Sequence, residues 1–152
     1  MRNELALSLV GLFAVGQASA EFVNISTRGF VGAGDQKLIA GFVIDGSDSQ
    51  KVMVGALGSS LDEFGVKNFL SDPMVTLYDS KGGVILQNDD WNNDPEVAAT
   101  QHAPTGGNEA AAVVTLEPGE YTVHAEGVNG SEGIGLVLVH HLETIGGEPE
   151  PE

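Results

Sequence analysis

The chain has 152 residues, enough for one domain with a single packed core once a removable leader is set aside. Six Lys and Arg against 22 Asp and Glu leave a formal net charge of -16, a field that repels phosphate backbones and anionic headgroups and argues against nucleic-acid or membrane-surface partners. Cysteine is absent, which excludes disulfides and thiolate metal sites, and 21 glycines with 6% aromatic residues favour short strands joined by turns over long helices. The acidity itself has two readings, attraction of cations or simple solubility of an exported protein.

In chain order, residues 1–20 read as a secretory signal. Arg2 precedes an apolar run over 5–15, and Ala18 and Ala20 form the small-residue cleavage pattern. That run is too short to span a bilayer. Cleavage after Ala20 is expected, with a folded domain over 21–145 and an acidic Pro/Glu tail over 146–152 that carries no membrane anchor. The expected location is the cell exterior, secreted or at the surface.

Strands are expected over 22–26, 29–31, 37–44, 51–57, 74–78, 84–87, 111–116, 121–126 and 133–142. Turn signals separate them at Asp45-Gly46, Gly82-Gly83, Pro118-Gly119 and Asn129-Gly130. Eight or nine short strands at this spacing predict an all-β fold, a two-sheet antiparallel β-sandwich of jelly-roll or Greek-key type. Alternation sets the faces: Val52, Val54 and Ala56 point to the core with Lys51 and Met53 opposite, and Tyr121, Val123 and Ala125 point to the core with Thr122, His124 and Glu126 opposite. Residues 59–64 are expected to make one helical turn, capped by Ser60 with Glu63 in the capping-box position; nothing else reads as helical. Leu116-Glu117-Pro118-Gly119-Glu120-Tyr121 predicts a corner at which the Tyr121 hydroxyl bonds back to the preceding turn. The polar stretch 96–108 shows no period and is expected to be a long loop between sheets.

The residues Asn24-Ile25-Ser26-Thr27-Arg28-Gly29-Phe30-Val31, Asp72-Pro73, Leu77-Tyr78-Asp79, Asn88-Asp89-Asp90-Trp91, Leu116-Glu117-Pro118-Gly119-Glu120-Tyr121-Thr122 and Gly133-Ile134-Gly135-Leu136-Val137 stand in a telling order. It resembles a β-sandwich repeat found singly or in tandem in large exported bacterial proteins, itself similar to the pre-peptidase C-terminal type of domain. The resemblance implies an extracellular, non-enzymatic accessory or structural module and brings no assigned activity.

Potential chemistry concentrates in one loop, 88–94, delivered by the hairpin of 74–78 and 84–87. Asp90, Asn92 and Asp94 have the one, three, five spacing of an oxygen-ligand calcium loop, and Asp89 adjoins them. Pro95 stands where an EF-hand has Gly, and Gln101 where it has its bidentate Glu, so the loop is no EF-hand and needs a ligand from elsewhere. The resemblance favours Glu109 and Asp72 for that role. The other reading is that these Asx residues close the loop by side-chain to backbone bonds. Trp91, the single Trp, either stacks on a sugar or plugs the end of the core. His140 and His141 are strand neighbours pointing to opposite faces, so they do not share a metal.

No nucleophile, base and orienter can be assembled from this chain, which argues against a hydrolase. The reading that emerges is a non-catalytic structural or adhesive module, calcium-stabilised, with itself or other extracellular proteins as partners. The alternative is a calcium-dependent, lectin-like module that binds glycans. If the first strand, freed by signal cleavage, adds to the edge of a neighbouring copy, filaments follow; if it pairs within its own sheet, the protein is a monomer.

Overall fold

The computed structural model describes residues 24–145. The leader over 1–20, Phe22 and Val23 of the first expected strand, and the tail over 146–152 lie outside the described residues. Eight strands form: β1 (Asn24–Val31), β2 (Leu38–Ile44), β3 (Ser49–Leu57), β4 (Pro73–Tyr78), β5 (Val84–Asn88), β6 (Ala110–Leu116), β7 (Gly119–Gly127) and β8 (Gly133–Ile145). They make two four-stranded antiparallel sheets, sheet A in the order β1-β8-β3-β6 and sheet B in the order β2-β7-β4-β5. Pairing first with last, second with seventh, third with sixth and fourth with fifth is a long hairpin rolled up on itself, the jelly-roll form of the sandwich.

The two expected N-terminal strands are one. Arg28 and Gly29 pair in register with Leu136 and Gly135, so no turn interrupts β1, and the chain reverses later, where the Gly32 N–H donates to the Gln36 carbonyl at 2.7 Å. Tucked against β8 in this way, the described part of β1 completes its own sheet.

Alternation of period two builds the core. Val52, Val54 and Ala56 of β3 and Val137 and Val139 of β8 face Phe42 and Ile44 of β2, Val75 and Leu77 of β4, and Val123 and Ala125 of β7 across the sandwich. Each fully buried Val or Leu contributes roughly 1.5–3 kcal/mol, and this layer holds the sheets together. Met53, expected to point away from the core, does so and is nonetheless 0% exposed. A second apolar layer covers the outer face of sheet A, with Met53, Val97, Ala111 and Leu138 at its centre and Trp91, Ala103 and Val113 against them.

That layer corrects the expectation of a featureless loop over 96–108. The segment opens with a short helix, α1 (Pro95–Ala99), with Asp94 as its N-cap and Pro95 in its first turn, and lays Val97 onto sheet A. The helical turn expected at 59–64 is present as a 3-10 helix over Ser59–Phe64, on different support: Gly58 is its N-cap and no side chain caps it. Ser60 is engaged elsewhere, as described below, and Glu63 accepts a hydrogen bond from the Thr105 hydroxyl at 3.0 Å instead of closing a capping box.

Tyr121 makes the expected corner, its hydroxyl donating to the Glu117 carbonyl at 2.6 Å. Tyr121→Phe keeps the ring stacked on Phe42 and removes only that bond. It is expected to lower stability by about 1 kcal/mol, read as a lower urea midpoint at unchanged slope.

Candidate functional site

The hairpin of β4 and β5 turns at one end of the sandwich and opens at the other. At the turn, the Asp79 carboxylate accepts from the Lys81 and Gly83 N–H groups at 2.9 and 2.8 Å, and these bonds hold its pKa below the usual value. Gly82 alone supplies the left-handed residue the turn needs, with φ 84°. Val75 pairs with Asn88 at the open end, so Asp72, just before β4, comes beside Asp89 and Asp90, just after β5.

These three carboxylates feel one another. Burial, then Asp90, then Asp89 push the Asp72 pKa above its ordinary 3.8. The ion pairs among the described residues, Lys37–Glu126, Lys51–Glu96 and Lys67–Asp62, take their acids from elsewhere in the chain. The Asp72 main-chain carbonyl is anchored by the Val128 N–H at 2.8 Å and the Ser131 hydroxyl at 3.2 Å, which fixes where its side chain starts.

The remaining candidates have local duties. Asn92 and Asn93 both adopt positive φ, 51° and 56°, inside a turn closed by the Asp94 N–H donating to the Trp91 carbonyl at 2.9 Å. Asn tolerates that conformation better than most residues, which accounts for the Asn pair. One Asp94 oxygen accepts from the Glu96 N–H at 2.8 Å and the Val97 N–H at 3.3 Å, capping α1. Side-chain to backbone closure, one of the two readings of this loop, is therefore in place at Asp94.

Glu109 is 0% exposed and forms the hub of this end. The Gly58 N–H at 2.7 Å, the Ser60 N–H at 2.8 Å and the Ser60 hydroxyl at 2.8 Å all donate to its Oε2, and the Gly106 N–H donates to its Oε1 at 2.9 Å. The carboxylate thus ties the end of β3, the 3-10 helix and the approach to β6 to one point. Gly106 has to be glycine beside it, because a Cβ there would lie 2.1 Å from the Ser59 hydroxyl and 2.9 Å from Oε1.

Trp91 hangs from the same hub. Its main-chain N–H donates to the Glu109 carbonyl at 2.9 Å and its indole N–H to the Gly106 carbonyl at 3.2 Å, while the half-buried ring packs on the outer layer of sheet A. Asn88, its amide oxygen accepting from the Ala111 N–H at 3.1 Å, ties the end of β5 across to β6.

Of the residues singled out from the sequence, then, the structure brings Asp72, Asp89 and Asp90 within electrostatic reach of one another. Asn92 and Asp94 sit in the next turn, and Glu109 and Trp91 are engaged in the hub. Among the described residues, no three acidic or histidine side chains are already gathered as a metal cage. The anchoring role of Glu109 has no signal in the sequence, since Gly58 and Ser60, which supply three of its four donors, lie 49 to 51 residues away. The helix capped by Asp94 did have one, the Asp-Pro pair.

Fold and site together define a jelly-roll sandwich with an acidic hairpin end. No family model matches the chain, and no curated protein matches it. Among solved structures it is similar to the pre-peptidase C-terminal domain of a collagenase from Bacillus anthracis, at 14% identity over 77% of this chain and 89% of that chain, with a TM-score of 0.48.

Proposed function

We propose that the chain is a non-catalytic structural or adhesive module of the cell exterior, and that its acidic hairpin end takes calcium. The observation that carries the cation reading is the convergence of Asp72 with Asp89 and Asp90 at the open end of the hairpin, where burial first and then the charges of Asp90 and Asp89 raise the Asp72 pKa. Calcium takes six to eight oxygens from carboxylates, amides, carbonyls and water, and these carboxylates, with Asn92 and the second Asp94 oxygen in the adjoining turn, are the donors at hand. Glu109 stays outside this set because four donors already hold it. The non-catalytic reading is supported by the use of Ser60, Glu109 and Trp91 as scaffold. The glycan-binding alternative rests on Trp91 and takes second place, because the indole serves the packing of sheet A.

Melting with chelator and with millimolar calcium tests the cation reading. Calcium at about 100 times its dissociation constant adds roughly 2.7 kcal/mol, a rise of several degrees. Asp72→Asn is expected to abolish most of that rise. In chelator the same variant is expected to melt above the wild type. A carboxyl whose folded pKa lies above its unfolded value binds more protons in the folded state, so its contribution to stability is lost as pH rises through the folded pKa, and neutral Asn restores it at pH 7. Identical wild-type curves with and without calcium would overturn the reading.

A further inference from the structure

The stretch from Asp94 to Ala103 lies on sheet A like a strap, and it is lightly held. Val97 is buried, the Thr100 hydroxyl contacts the Met53 sulfur at 3.6 Å, and Lys51 and Glu96 make an exposed ion pair at 3.9 Å. Where it meets the sheet an open cleft of about 340 Å³ remains, lined by Lys51, Glu96, Ala99, Thr100, Val113 and Leu142, so one edge of the strap is not packed down. The five-residue α1 is far too short to persist without that seat. At the far end, the exposed His102 ring stacks on His140 of β8, with centroids 4.1 Å apart and planes 9° from parallel.

We propose that this strap is an acid-released cover, latched to sheet A by the His102–His140 stack, which lets go in mildly acidic medium and presents the Met53–Leu138 surface. Two imidazolium rings at this distance repel, whereas neutral rings stack. Burial, and then the charge of His102, hold the His140 pKa below its ordinary 6.5. The open strap therefore binds more protons than the closed one. Closure has its full strength above pH 6.5 and loses it as pH falls toward the depressed value, by up to about tenfold in the closed-to-open ratio per pH unit for each proton.

The surroundings leave this pair in charge of the seam. On sheet A, His140 stands opposite Asn24 of β1 and Met53 of β3, neither of which titrates. On its own strand, His141 points to the other face and is hydrogen-bonded with Gln50. From the strap come His102 and, at its other end, Glu96 paired with Lys51. Of the other groups with perturbed pKa values, Asp79 is shifted down and Tyr121 up, away from this range, and two need controls: His124 of sheet B, lowered by burial and Lys37, and Asp72 at the hairpin end, raised.

Trp91 is the single Trp and packs in the layer the strap covers, so its emission reports release. In chelator, lowering the pH from 7.5 to 5.5 is expected to shift that emission reversibly to the red. Amide exchange over 95–103, corrected for its intrinsic pH dependence, is expected to speed up at least tenfold relative to β3. His140→Phe keeps a ring in the stack but removes its proton, and is expected to abolish both changes. His102→Phe, at an exposed position, is expected to move the midpoint to lower pH or remove it. His124→Gln and Asp72→Asn are expected to leave the transition in place. A pH-independent wild type, an unchanged midpoint in His102→Phe, or loss of the transition in either control would overturn the proposal.

Discussion

Replacing Glu109 with alanine is expected to destabilise the domain by roughly 3–5 kcal/mol, because it strands three main-chain N–H groups away from water at about 1–3 kcal/mol each. Those groups belong to Gly58, Ser60 and Gly106, on three segments with no other common anchor of this kind. A loss of that size takes much of a total stability of about 5–15 kcal/mol, so the variant should be recovered poorly or melt near ambient temperature. Glu109→Gln is the quantitative partner. Its amide keeps one oxygen for the three donors on Oε2 but turns an NH2 toward the Gly106 N–H, an expected loss of about 1–3 kcal/mol in guanidinium denaturation. If both variants melt within a degree or two of the wild type, the hub does not hold this end together.

Gly58→Ala is expected to be nearly as damaging, by a different route. A Cβ at Gly58 would lie 1.8 Å from the Leu70 carbonyl oxygen and 2.9 Å from its carbon, both main-chain atoms. The chain leading into that carbonyl is pinned on its N-terminal side, because the Leu70 N–H donates to the Ile134 carbonyl at 2.7 Å and the Ile134 N–H to the Asn68 carbonyl at 2.6 Å. Relief would break either this clamp on β8 or the Gly58 bond to Glu109, an expected loss of about 3 kcal/mol or more. Gly107→Ala is the control: nothing lies within 4 Å of its added Cβ, and a change within about 0.5 kcal/mol is expected.

What could be read from the sequence was whatever is decided locally. The faces of β3 and β7 follow from period two, and the Tyr121 corner spans four residues, so both were readable. Met53 shows where such reading stops. Its outward position was readable, but its burial depends on a strap contributed by residues some forty positions later. The acidic hairpin end was readable as a concentration of Asx residues. Which of them serve the fold was readable only in part: the Asp-Pro pair signals Asp94 as a helix cap, whereas Glu109 as a hub is defined by distant main-chain N–H groups that composition does not reveal. Ser60 makes the same point: its spacing to Glu63 suits a cap, yet a distant carboxylate claims its hydroxyl.

The pairing of the first described strand with the last sets the order of events during synthesis. β8 lies between β1 and β3, so until it has emerged neither has the neighbour it needs, and sheet A exists only as the β3–β6 pair. Sheet B and the hairpin end can assemble earlier, because β7 comes first. Bringing β1 to β8 then closes a loop of roughly a hundred residues, which makes this the slow step and the one most exposed to misassembly. A ribosome stalled before β8 therefore carries a chain whose β1 is unpaired and whose sheet A is half built, a form that a chaperone can engage and that the finished jelly roll no longer offers.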